Sequence, residues 1–138
     1  MAWTVLIGIC WLLALQGVSW MVIGSFDPLG LWDRGAARFL FGVQELPPDA
    51  RAMLRWLLVP FGATDAAFFA LSAELLRRGR AAGQHWVLQV FVLGMLVWFA
   101  LDTGACLLLG AWWNVGLVNC PALLVTLLPA WAAARSDL

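Results

Sequence analysis

Four separate stretches of this chain are each long and apolar enough to cross a lipid bilayer. A spanning helix needs about 20 consecutive, mostly apolar residues. Residues 3–24, 53–76, 86–109 and 112–134 meet that requirement. Hydrocarbon offers no partner to an exposed backbone N–H or C=O, so a span must be a helix or part of a closed barrel. Continuous apolar runs of this length, without period-two alternation, are helices. The chain therefore reads as a single all-α transmembrane domain over residues 1–138, a bundle of four spans. Composition agrees. The hydrophobic fraction is 64 % and the charged fraction 12 %, against roughly 45–50 % and 25 % in a soluble domain. A soluble fold this small has no interior large enough for that excess.

The flanks of the spans set the expected orientation. Trp3, Trp20, Trp56, Trp86, Trp112, Trp113 and Trp131 lie near span ends, where indole rings suit the headgroup level. Trp11 and Trp98 lie deeper and are expected to pack inside the bundle. Arg77, Arg78 and Arg80 form an acid-free loop between spans two and three. By the positive-inside rule this loop is cytoplasmic, which places both termini on that side as well. All eight basic residues are arginine, a pattern that suits a GC-rich bacterial genome. The location expected is therefore a bacterial inner membrane. No Lys or Arg precedes the first apolar run, which argues against a cleaved signal peptide.

The linker between spans one and two then faces the periplasm. Asp27, Pro28 and Gly30 mark a turn. From Leu31 to Val43, apolar Leu31, Trp32, Phe39, Leu40 and Val43 mix with Asp33, Arg34 and Arg38, which predicts a short amphipathic helix lying in the interface. Leu46-Pro47-Pro48-Asp49 ends it and opens span two. Gly110 and Ala111 join spans three and four as a tight hairpin. Pro60 and Pro121 each remove a helix donor and should kink spans two and four. Ala63 with Ala67, and Ala100 with Gly104, have the small-residue spacing that lets helices approach closely.

The informative residues are those a bilayer should reject. Asp65 is central in span two, Asp102 lies in the outer half of span three, and Asn119 and Gln16 occupy similar depths in spans four and one. At a rise of about 1.5 Å per residue, all four fall within roughly 10 Å along the membrane normal. An ionised Asp at a helix centre costs on the order of 3 kcal/mol on insertion scales, so these groups should turn inward. Two readings follow. One is a ligand pocket anchored by Asp65 and Asp102, with Asn119, Gln16, Trp98, Phe61 and Phe68 as its walls. The other is a hydrogen-bonded network, with Thr103 and Asn114 nearby, that only holds the helices together.

Other polar residues carry less. Glu74 stands a turn before Arg77 and Arg78, the spacing of a surface ion pair. Arg51 and Arg55 are placed to snorkel toward headgroups. His85 is the sole histidine; it is better placed as an interfacial side chain than as an axial metal ligand. Cys10, Cys106 and Cys120 are widely spaced and read as small apolar residues. No metal-ligand spacing, Ser-His-Asp arrangement or phosphate-cradling glycine loop is present. With zero net charge, a nucleic-acid partner is not expected.

Arg38-Phe39-Leu40-Phe41-Gly42, Trp98 to Gly104 (WFALDTG) and Gly110 to Val115 (GAWWNV) resemble small four-span bacterial inner-membrane proteins of the DoxX-like or BphX-like sort. That resemblance covers most of the chain from Arg38 onward and implies the four-span architecture. Asp65, Asp102 and Trp98 also give a weaker likeness to the emopamil-binding and sigma-2 receptor superfamily, which implies a sterol-sized intramembrane pocket. The span-end position of His85 departs from a histidine-assisted isomerase.

The function expected first is that of a small non-catalytic integral membrane protein, an accessory or scaffold subunit of a larger complex. The alternative is a binder of a small hydrophobic molecule (a lipid, sterol-like compound, quinone or pigment) in a pocket of Asp65, Asp102 and Trp98, extending to an isomerase-type enzyme. No cofactor is expected, although a bound lipid is compatible with either reading. The expected partners are membrane lipids and either other membrane subunits or further copies of this chain.

Overall fold

The four apolar stretches all become helices in the computed structural model, which describes residues 1–23 and 31–135. The side chains of Ile23, Leu31, Trp32, Asp33 and Leu40, and the turn expected at Asp27, Pro28 and Gly30, lie outside the described residues. In chain order the helices are α1 (Ala2–Ile23), α2 (Leu31–Phe41), α3 (Pro48–Ala81) and α4 (Trp86–Leu108). The last span, Trp112–Arg135, has three parts: a short α5 (Trp112–Asn114), a π-helical segment (Val115–Asn119) and α6 (Cys120–Arg135). The fold is an all-α bundle with four helices long and apolar enough to span a membrane.

The second span is longer than its apolar stretch. Helix α3 begins at Pro48, within the Pro-Pro pair, and continues through 34 residues to Ala81. At about 1.5 Å per residue it measures roughly 50 Å, well beyond a hydrocarbon core of about 30 Å. Both ends therefore project, carrying Asp49 and Arg51 at one end and Arg77, Arg78 and Arg80 at the other.

Two glycines stop the helices of the bundle in the same way. After α3, Gly83 has φ +65, and the Gly83 and Gln84 amides donate back to the Arg80 and Gly79 carbonyls. After α4, Gly110 has φ +74, and the Gly110 and Ala111 amides donate to the Leu107 and Cys106 carbonyls. These are Schellman closures, in which a left-handed residue satisfies the orphan carbonyls of the last turn. The second one makes the tight α4–α5 hairpin.

The largest buried cluster occupies the half of the bundle nearest the arginine loop. Trp3, Leu6, Cys10 and Ala14 of α1 meet Phe69, Ala73 and Leu76 of α3. Val87, Leu88, Phe91 and Met95 of α4 and Ala130 and Ala133 of α6 complete it. The Arg80 guanidinium donates to Thr4 Oγ1 at 2.8 Å, so the start of α1 and the end of α3 share one end of the bundle. Glu74 accepts two bonds from Arg77, both at 2.7 Å, and one from Arg78 at 2.6 Å, the ion pairing that the spacing implied.

Helix phase overrides two sequence expectations, the interior place of Trp11 and the choice of small-residue contacts. Trp3 is 3 % exposed and packs in the core, whereas Trp11, expected inside, is 46 % exposed. Trp3, Leu6, Cys10, Ala14 and Gly17 follow three- and four-residue steps along one stripe, and Trp11 falls off it. The close helix contact is made by Gly17 and Gly62. A Cβ on Gly17 would lie 2.6 Å from the Ala66 nitrogen and 2.7 Å from the Gly62 oxygen. Gly104 faces open space, while Ala67 and Ala100 are exposed. Small residues occupied two adjacent stripes of α3, and spacing alone does not select between them.

Candidate functional site

The polar residues within the spans separate into two groups. The first is a connected set in the half of the bundle away from the arginine loop. Asn119 is fully buried. Its Nδ2 donates to Thr103 Oγ1 at 3.1 Å, tying the last span to α4. Asn114 Nδ2 donates to Asn119 Oδ1 at 3.4 Å and to Cys106 Sγ at 3.3 Å. The Cys106 thiol in turn donates to Asp102 Oδ2 at 3.7 Å. One chain of contacts thus links carboxylate, thiol, two amides and a hydroxyl.

The π-helical segment makes this set possible. Pro121 has no N–H to offer the Leu117 carbonyl, so a regular α-helical bond is lost there in any case. The backbone widens just before it, and the Cys120 amide donates to the Val115 oxygen five residues back. In a regular α-helix, residues five apart point about 140° away from one another. Widening the turn brings Asn114 and Asn119 onto one face, where they hydrogen-bond. The expected kink at Pro121 is thereby expressed as a local π segment, a common way for a helix to absorb an irregularity.

The second group is Gln16 and Asp65, and neither joins that network. Gln16 is exposed and Asp65 is half-buried. Among the described residues, neither side chain makes a hydrogen bond. Both stand one residue before the close α1–α3 contact of Gly17 with Ala66. In an antiparallel helix pair, the residue before each facing position turns to the same side of the seam, because the two chains wind in opposite senses as seen from one end. Gln16 and Asp65 thus flank one side of the seam at mid-span depth.

The aromatic residues expected to line a pocket are occupied by local packing. Phe61 stacks on Trp20 with centroids 5.1 Å apart and planes at 25°. Phe68 meets Phe69 edge-on at 5.1 Å. Trp98 is half-buried and packs against the core cluster. His85 lies with its ring 6.3 Å from the Trp3 ring, tilted by 58°. Of the seven residues proposed as a pocket from sequence, only Asp102 and Asn119 share a network of direct contacts. Among the described residues, no cluster of three His, Cys, Asp or Glu has metal-holding geometry.

Cys106 is the participant that sequence reading assigned to another role. It bridges Asp102 and Asn114, although its apolar surroundings in the sequence suggest a small apolar residue. The available signal was its position four residues after Asp102, which puts thiol and carboxyl on one helix face. Compared with protein-family models, curated proteins and solved structures, the chain matches none of them.

Proposed function

We propose that this protein is a non-catalytic accessory or scaffold subunit of a bacterial inner-membrane complex. In this reading both termini and the Arg77–Arg80 loop are cytoplasmic, and α2 rests on the periplasmic surface. The observation that carries the proposal is Asp65: a mid-span carboxyl, half-exposed, with no hydrogen-bond partner among the described residues. Exposed Gln16 supports it from α1, on the same side of the seam. Carboxyls at this depth are costly when they face lipid and are satisfied by donors from neighbouring helices. A partner helix seated over the α1–α3 seam, bringing a hydroxyl, amide or cationic donor, supplies what the isolated bundle lacks. The connected polar set around Asn119 is already used internally, as a clamp between α4 and the last span. Its Asn, Thr and Cys contacts suit structural support.

The test is purification in mild detergent followed by native mass spectrometry. Wild-type protein is expected to travel with another membrane chain, or with a second copy of itself. Asp65→Leu should release that partner while the bundle stays monodisperse, and Asp65→Asn, which keeps hydrogen-bonding capacity, should retain it. A wild-type monomer with no accompanying protein would sink the proposal.

A further inference from the structure

A groove of about 340 Å³ opens beside α2, apart from the interior polar residues. Arg34, Arg38 and Phe39 of α2 form one wall, Val43 and Gln44 continue it, and Trp113 forms the base. Its size falls at the small end of the range for ligand sites, about 300–1,000 Å³.

The lining has a definite chemical character. Among the described residues that line it are two guanidinium groups one helical turn apart and no carboxylate. Arg38 makes no ion pair among the described residues. Two arginines at this spacing converge on a single anion, and guanidinium matches the oxygens of a phosphate in a bidentate way. Of the other lining residues, Phe39, Val43 and the Trp113 ring are apolar or aromatic, and Gln44 is polar and uncharged.

The base of the groove is built for close approach. A Cβ on Gly35 would fall 2.8 Å from Cδ2 of Trp113, so the backbone of α2 lies directly on the indole. Phe39 meets Trp112 edge-on at 5.2 Å, a second attachment of α2 to the last span. The groove sits at the end of the bundle where α3 begins and the α4–α5 hairpin turns. The neighbouring surface is exposed and apolar at Phe41, Val43 and Trp112. A helix with basic groups beside such a surface belongs at the boundary between headgroups and acyl chains.

We propose that this groove binds the phosphate headgroup of an anionic lipid. Arg34 and Arg38 take the phosphate oxygens, and Phe39, Val43 and Trp113 cover the first methylenes below them. Gln44 stands at the rim, placed to bond a headgroup hydroxyl. The chemistry recognised is a phosphate oxyanion, and its attachment to an apolar chain is what the aromatic walls select. This site is independent of the Asp65 seam, so either proposal can fail without the other.

The experiment uses the full chain in bilayer discs containing phosphatidylglycerol and phosphatidylcholine, with the retained lipids counted by native mass spectrometry. Wild type is expected to retain phosphatidylglycerol in excess of its share. Each arginine is worth about a fivefold change in anionic-lipid retention, so Arg34→Gln with Arg38→Gln should abolish the enrichment. Gly35→Ala should weaken it with no change in charge, because the added methyl displaces the Trp113 ring. Arg77→Gln with Arg78→Gln, at the opposite end of the bundle, should leave it intact. An unaltered thermal midpoint in the Arg34/Arg38 variant separates loss of the site from loss of the fold. Equal retention by that variant and wild type would overturn the proposal. A parallel arm adds inorganic phosphate to protein in phosphatidylcholine discs. Arginine-dependent phosphate binding without lipid enrichment would assign the groove to a free anion and overturn the lipid reading.

Discussion

The two halves of the bundle are held together by different forces. Near the arginine loop, apolar side chains from α1, α3, α4 and α6 interlock around Leu6, Leu76 and Met95, each no more than 1 % exposed. Toward α2, the contact between α4 and the last span depends on Asn119, Thr103, Asn114 and Cys106. In lipid there is little hydrophobic drive between helices, so the first half relies on close packing and the second on hydrogen bonds. Packing tolerates no gap but needs no direction. Hydrogen bonds need direction, and the π segment supplies it by aligning Asn114 with Asn119. The directional half also holds the irregular backbone and, at its end, the groove beside α2.

Cavity variants should test the packed half most severely. Leu6→Ala or Met95→Ala is expected to cost about 2–5 kcal/mol, since a buried side chain leaves a void that the neighbours fill only in part. Thermal unfolding in detergent would show it, and a loss below that of the polar variants would erase the distinction between the halves. Asn119→Leu removes both of its interhelical and intrahelical bonds, at an expected cost of about 1–2 kcal/mol on membrane scales. The same assay would rank it below Leu6→Ala.

Pro121→Ala sharpens the comparison from the backbone side. It restores an N–H for the Leu117 carbonyl and favours a regular α-helix over the π segment. Asn114 and Asn119 should then part. The net stability change is expected to stay within ~1 kcal/mol, but Cys106 should react faster with a small maleimide in a background lacking the other two cysteines. An unchanged rate would mean that the network does not depend on the π segment. The smallest effect is expected at the arginine end. Arg77→Gln leaves Glu74 paired with Arg78 at an exposed site, and the unfolding midpoint should not move measurably.

Much of the architecture is legible in the sequence. The four spans, the short amphipathic helix, the glycine hairpin at Gly110 and the Glu74 ion pairing follow from local rules: apolar length, periodicity, turn chemistry and i,i+3 or i,i+4 spacing. Rise per residue also placed Asp102 and Asn119 at comparable levels, and the structure links those two through Cys106 and Asn114. What failed was azimuth. Trp11 faces outward although its depth suggested the interior, Trp3 is buried at its span end, and Gly17–Gly62 replaces the expected small-residue contacts. A uniformly apolar helix carries almost no amphipathic signal, so its sequence does not show which face meets a neighbour.

The four apolar stretches of this chain determined by themselves that the backbone must be helical, how many helices are long enough to span a membrane and where the chain turns. Those outcomes depend on backbone hydrogen bonds that lipid leaves unsatisfied in any other form. The tertiary structure decided which polar groups meet. It joined Asp102 to Asn119 through Cys106 and Asn114, and left Gln16 and Asp65 beside a seam. That choice rests on helix rotation and on one widened turn ahead of Pro121, and both are set by how the four helices pack together.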